Sequence, residues 1–197
     1  MRKEGIRLII GLRDYQREAV NAVRAAYLNG VKRQLVVLPT GTGKTIVFAY
    51  LIACMGEKAL VLAHRDELIE QAASKIRLVW PEADIGIVKA ERNEVGHDVT
   101  VASVQTLARG SRLDKLVADG RRFGLVVVDE AHHAVAPQWL TVLAEVGAGK
   151  AGLLLGFTAT PHRTDGGALG RVFDRIVYQR TIYEMIAAGY LVRPKGM

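Results

Sequence analysis

Apolar residues recur along this chain in two alternating rhythms. Short unbroken runs at residues 34–38 (QLVVL), 59–63 (ALVLA), 124–128 (GLVVV) and 152–157 (GLLLGF) have the length and β-branched content of buried strands. Shorter runs at 85–88, 99–102 and 176–178 predict three more. Between them the period changes to that of a helix. Asp14 reads as an N-cap, followed by one apolar face of Tyr15, Ala19, Val20, Val23, Ala26 and Tyr27 that closes at Gly30. Residues 45–55 are apolar nearly all round and predict a buried helix ended by Gly56. Leu68, Ile69, Ala72, Ala73, Ile76 and Val79 repeat at helical spacing up to Trp80-Pro81, and further helices are expected at 138–146 and 182–188. The polar stretch 89–98 reads as a mobile loop, and Gly189-Tyr190-Leu191-Val192 closes the ordered pattern. Strands of this kind alternating with helices predict an α/β fold, a mainly parallel sheet with helices on both faces.

Length and composition narrow this picture. The 197 residues suffice for one domain, and half of them are hydrophobic, enough for a sizeable core. The single cysteine, Cys54, excludes an internal disulfide framework and a cysteine zinc cage; its apolar setting predicts a small core residue. The five histidines show no metal-ligand spacing. No run approaches the ~20 apolar residues of a membrane span, and Leu8-Ile9-Ile10 is too short for the apolar core of a signal peptide. These features predict an intracellular, cytoplasmic protein with no membrane partner. Lys and Arg number 27 against 20 Asp and Glu, a net charge of +7. That excess suits an anionic partner without requiring one.

The chemistry is carried by two strand ends. Pro39-Thr40-Gly41-Thr42-Gly43-Lys44-Thr45 lies between an apolar strand and the buried helix, the context a phosphate-binding loop requires. Glycines let backbone N–H groups turn toward phosphate oxygens, a lysine reaches the β- and γ-phosphates, and a threonine hydroxyl ligates Mg²⁺ at a helix N-terminus. The loop departs from the generic pattern at Leu38, where a glycine is usual. The second strand end is Val126-Val127-Val128-Asp129-Glu130-Ala131-His132. Two adjacent carboxylates after a buried strand are costly unless a cation compensates them. Here Asp129 would hold Mg²⁺ through its water shell and Glu130 would polarise an attacking water.

Together with Thr158-Ala159-Thr160, these motifs resemble those of the superfamily two helicases and translocases with a DEAH motif. The resemblance is strongest to the branch that shares a lobe with type III restriction subunits and excision-repair-type DNA helicases. It runs in family order from Leu12 to about Val192, and implies a RecA-like P-loop NTPase domain that binds ATP and Mg²⁺. Leu12-Arg13-Asp14-Tyr15-Gln16 resembles the adenine-reading segment, with Arg13 and Gln16 as nucleotide contacts. Ala63-His64-Arg65-Asp66-Glu67-Leu68 and Ala102-Ser103-Val104-Gln105-Thr106-Leu107 resemble strand-contacting segments. The resemblance thus implies that Arg65, Ser103, Gln105 and Thr106 meet nucleic-acid phosphates. Gly156-Phe157-Thr158-Ala159-Thr160-Pro161-His162-Arg163 resembles the coupling motif. With His132, Thr158 and Thr160 would link nucleotide state to the nucleic-acid groove. His133, Arg121 and Arg122 receive no role.

Members of this group need two such lobes, with arginines of the second completing the nucleotide site. Residues 1–197 read as a single first lobe, with the second expected to follow Tyr190-Leu191-Val192-Arg193-Pro194. The resulting expectation is an ATP-binding lobe of a nucleic-acid-dependent ATPase, DNA favoured over RNA, which alone hydrolyses ATP poorly. A non-catalytic nucleotide-binding module and the translocation subunit of a restriction enzyme stand as alternatives.

Overall fold

The computed structural model describes residues 8–109, 111–118, 122–160 and 168–193. Pro161, His162, Arg163, Arg121 and Pro194 lie outside the described residues.

Among the described residues, eight strands form one sheet in the order β4-β3-β5-β2-β6-β7-β1-β8. In chain order these are β1 (Arg33–Val37), β2 (Ala59–Ala63), β3 (Ile85–Lys89), β4 (Arg92–Asn93), β5 (Val99–Ser103), β6 (Leu125–Val128), β7 (Leu153–Thr158) and β8 (Arg175–Gln179). Every pairing is parallel except the β3–β4 hairpin at the edge. The helices are α1 (Asp14–Leu28) before β1, then α2 (Lys44–Met55), α3 (Asp66–Val79), α4 (Val104–Leu107), α5 (Arg112–Val117) and α6 (Pro137–Glu145) between strands, and α7 (Ile182–Ala187) after β8.

The period of two along each strand divides the core between the sheet's faces. Val36, Val61, Val127 and Leu155 point with Phe48, Ile52 and Ile76 into the layer under α1, α2 and α3. Leu35, Leu60, Val126 and Leu154 point the other way, against Leu107, Leu116, Trp139 and Val142 of α4, α5 and α6. Both faces are therefore covered, which is why the strand sequences read as continuous apolar runs rather than as alternation. Among the described residues no helix is long and apolar enough to cross a membrane.

Four features differ from the sequence reading. The N-cap of α1 is Arg13, not Asp14, because the Gln16 carboxamide oxygen accepts the Arg13 backbone N–H at 3.0 Å. Asp14 becomes the first helical residue, where its charge suits the helix N-terminus. The 89–98 stretch is not a free loop but is held by defined bonds. Ile87 and Glu94 exchange two hydrogen bonds at 2.9 and 3.0 Å, Arg92 pairs with Glu94 and Glu70, and Arg112 donates to the Ala90 carbonyl. Cys54 is half-buried rather than in the core. The short helices α4 and α5 had no periodic signal, since four and six residues hold too few turns to show one.

Candidate functional site

The parallel strands deliver their chemistry-bearing turns to one edge of the sheet. β7 lies between β1 and β6, with Val37 opposite Thr158 and Val128 opposite Gly156. The phosphate-loop turn after β1, the Asp129-Glu130 turn after β6 and the Thr158-Ala159-Thr160 turn after β7 are thereby neighbours. The Leu38 N–H also donates to the Thr158 carbonyl at 3.0 Å, tying the first and third turns together.

The loop at residues 39–45 is shaped from both ends. Gly41 (φ 83°) and Gly43 (φ 76°) occupy the left-handed region, where a side chain is strained. The Thr42 hydroxyl donates to the Pro39 carbonyl at 2.7 Å, closing the turn on itself. The Thr42 carbonyl in turn accepts from the Tyr15 hydroxyl at 2.6 Å and from the Gln16 carboxamide at 3.1 Å, both on α1. C=O and N–H point in opposite directions across a trans peptide, so the Gly43 N–H is directed away from α1. Thr40 is exposed, and Thr45 is half-buried in the first turn of α2.

Lys44 is 9 % exposed, and its ammonium group lies 3.4 Å from the Leu38 carbonyl and 3.8 Å from Glu130 Oε1. The carbonyl of the position that departs from the usual glycine thus helps to hold the lysine. Asp129 is 7 % exposed at the end of β6. Burial, and then repulsion from Glu130, push its pKa up to about 6; Lys44 and the Glu130 N–H, which donates to Oδ1 at 3.1 Å, pull it back down. Glu130 sits at φ 52°, in the left-handed region that only glycine enters freely. Its other oxygen, Oε2, lies 3.4 Å from His132 Nδ1. Two carboxylates and a lysine at this spacing leave the aspartate short of positive charge, the electrostatics that a divalent cation would satisfy. The residues present therefore fit a phosphate-bearing nucleotide with Mg²⁺.

Gln16 is buried, and both ends of its carboxamide are engaged, with Thr42 and with the Arg13 N–H. In this structure it fixes the loop. The Arg13 guanidinium stands 6.0 Å above the Tyr190 ring, whose own neighbour is the Tyr15 ring at 4.6 Å. Thr158 is fully buried, and its hydroxyl bonds within its own turn, to the Thr160 carbonyl at 3.1 Å and N–H at 3.3 Å.

The expected nucleic-acid contacts cluster on the adjoining stretch of the same edge. Ala63 of β2 is opposite Ser103 of β5, so the turns carrying Arg65 and Gln105 leave the sheet side by side. Arg65 is exposed at the N-cap of the 14-residue α3. Ser103 is buried, and its hydroxyl accepts the Thr106 N–H at 3.4 Å as the cap of α4. It positions that turn, while Gln105 and Thr106 line an open cleft with Arg109 and Arg112.

Sequence reasoning missed three contributors. Tyr15 reads from the sequence as an apolar face residue within the Leu12–Gln16 segment, yet its hydroxyl holds the loop. Leu191 approaches Gly41, a contact no local pattern shows. His64 and His133 stack with ring centroids 4.5 Å apart, which the adjacent His132-His133 pair could at most have suggested.

Comparison with known proteins shows the family of this chain. A family profile described as the type III restriction enzyme, res subunit, matches residues 9–163. The inferred ATP-dependent helicase IRC3 of Saccharomyces cerevisiae is 39% identical over 93% of this chain, which spans 28% of that protein. The DNA 3'-5' translocase XPB2 of Sulfurisphaera tokodaii is 31% identical over 94% of the chain, which spans 39% of that protein. Among solved structures, the Pyrococcus furiosus Hef helicase domain superposes with a TM-score of 0.70 at 24% identity, over 94% of this chain and 41% of that one. The eight-stranded, mostly parallel sheet is that of the RecA-like helicase cores. This chain belongs to the type III restriction enzyme res subunit family, as an N-terminal lobe of the superfamily two helicases and translocases.

Proposed function

We propose that this chain is the ATP-binding lobe of a nucleic-acid-dependent ATPase that moves along or separates DNA strands, acting in the cytoplasm together with a second lobe. The observation that carries this reading is Lys44, buried between the Leu38 carbonyl and Glu130, beside a buried Asp129 whose charge awaits a cation. DNA is favoured over RNA because XPB2 is named a DNA translocase.

Bound ATP would supply the phosphoryl group to be transferred, and Mg²⁺ the charge that makes transfer to water feasible. The chain's own residues do the rest. The N–H groups around Gly41 and Gly43 and the Lys44 ammonium bind phosphate oxygens. Thr45 and Asp129 would hold the metal. Glu130 orients the attacking water and accepts its proton. Arg13 and Gln16 meet the base side of the nucleotide. Arg65, Gln105 and Thr106 contact strand phosphates, with Ser103 holding their turn, and His132, Thr158 and Thr160 relay changes between the two sites.

Titration with Mg²⁺–nucleotide tests the reading. Lys44→Ala should weaken binding by about tenfold or more, since a buried charge-assisted contact is lost. Glu130→Gln should leave binding intact and lower hydrolysis by about 10²–10⁴ in the full-length protein. Unchanged nucleotide affinity in Lys44→Ala would overturn the assignment. Wild-type hydrolysis as slow as that of Glu130→Gln would favour a non-catalytic nucleotide-binding module. Alone, this lobe should be slow by about 10³–10⁵, the contribution of an arginine finger from a partner lobe.

A further inference from the structure

β2 and β6 are neighbours in parallel register, Leu62 opposite Val128. The turn that carries Arg65 into α3 and the turn that carries Glu130 therefore leave the sheet side by side. Three imidazoles span the space between them. His64, directly before Arg65, stacks on His133 at 4.5 Å with 26° between ring planes. His133 lies against His132 at 4.1 Å. His132 Nδ1 is in turn 3.4 Å from Glu130 Oε2, and Glu130 Oε1 is 3.8 Å from Lys44. The path thus runs by direct contact from His64, the residue before the exposed Arg65, to the Glu130 carboxylate. Its far end is a strained residue, Glu130 at φ 52°, whose carboxylate position depends on what braces it.

We propose that His64 and His133 are positioning residues, a ring stack through which nucleic acid bound at Arg65 sets the Glu130 carboxylate for hydrolysis. Rings already in stacking contact cannot approach one another further, so displacement of the His64 backbone toward His133 is delivered to the short 3₁₀ turn of Ala131–His133. The His133 N–H donates to the Glu130 carbonyl at 3.0 Å, giving the turn a second hold on the same residue. This inference rests on the reading of Glu130 as the water-orienting group and Arg65 as a strand contact.

The test is steady-state ATP hydrolysis by the full-length protein at saturating DNA. His64→Ala is expected to lower kcat by about tenfold while the KM for ATP moves less than about twofold. His64→Phe, which keeps a flat ring, should recover most of that loss. The double variant of His64→Ala with His133→Ala should be no slower than His133→Ala alone, because that single change already breaks the stack. An undiminished kcat in His64→Ala, a Phe variant as slow as the Ala variant, or losses that multiply in the double variant would each overturn the proposal. The underlying reading fails differently. It fails if Glu130→Gln hydrolyses ATP as fast as wild type, or if wild-type hydrolysis ignores DNA, whatever His64 does.

Discussion

Asp129 shows most directly how this site is poised. In the nucleotide-free protein its carboxyl group holds a proton up to about pH 6, against an ordinary 3.8. Folding therefore opposes ionisation. The group makes no demand on stability below about pH 4, and the penalty grows as pH rises through 6. A shift of this size corresponds to about 2–3 kcal/mol. Asp129→Asn should accordingly raise the stability of the nucleotide-free protein by that order at pH 7–8, with the gain vanishing toward pH 4. Denaturant unfolding across this range measures it. The same substitution should abolish Mg²⁺-dependent nucleotide binding, because the group that destabilises the nucleotide-free fold is the one proposed to hold the cation. In the wild type, affinity for Mg²⁺–nucleotide should fall below about pH 6, where the ion must displace a proton; calorimetric titration at two pH values reads it.

At the scale of elements, the phosphate loop is held from outside itself. Helix α1 contributes Tyr15 and Gln16 to one carbonyl, that of Thr42, and the Gln16 amide nitrogen lies 2.9 Å from where a side chain on Gly43 would begin. Tyr15→Phe removes one of the two bonds and should cost about 1 kcal/mol in stability. It should also weaken nucleotide binding several-fold, because the Gly43 N–H loses part of its orientation; paired unfolding and nucleotide titrations separate the two effects. Strand β7 has an analogous constraint. A Cβ at Gly156 would sit 2.5 Å from the Phe173 ring and 2.9 Å from Ala131 Cβ, the start of the turn beyond Glu130. Gly156→Ala should therefore destabilise the fold by about 1–3 kcal/mol by overpacking. It should lower hydrolysis as well, since relief of the clash pushes on the Asp129-Glu130 turn. A variant with unchanged melting temperature would show that this packing gives way more easily than its geometry suggests.

At the scale of the molecule, a single sheet edge carries both candidate sites. The order β5-β2-β6-β7-β1 sets the turns of Ser103 and Arg65 at one end, the loop at residues 39–45 at the other and the Asp129-Glu130 turn between them. A rigid parallel sheet makes this spacing insensitive to the loops around it. If Arg65 and its neighbours contact strand phosphates as proposed, binding should be dominated by counterion release. Affinity for single-stranded DNA should fall linearly in log–log terms with salt, and Arg65→Ala should reduce that slope by about 1. Fluorescence anisotropy at several salt concentrations measures this; a slope unaltered by the substitution would remove Arg65 from the interface.

The sequence by itself determined the strands, the long helices and the two chemical turns. Each is a local property: β1, β2, β6 and β7 announce themselves because burial on both faces forces continuous apolar runs. The motif at residues 39–45 is equally local, because a phosphate loop needs its glycines, lysine and threonine at fixed backbone spacing. Arg13 as the cap of α1 was not legible, since a carboxamide three residues on does the capping. Nor was the ordering of residues 89–98, which depends on Glu70 and Arg112 from elsewhere in the chain. Only the tertiary structure placed Tyr15 on the Thr42 carbonyl, Leu191 beside Gly41 and His64 against His133. These contacts join residues far apart in the chain, and what brings them together is the order of strands across the sheet. Strand order follows from how whole layers pack, and no local pattern of residues encodes it.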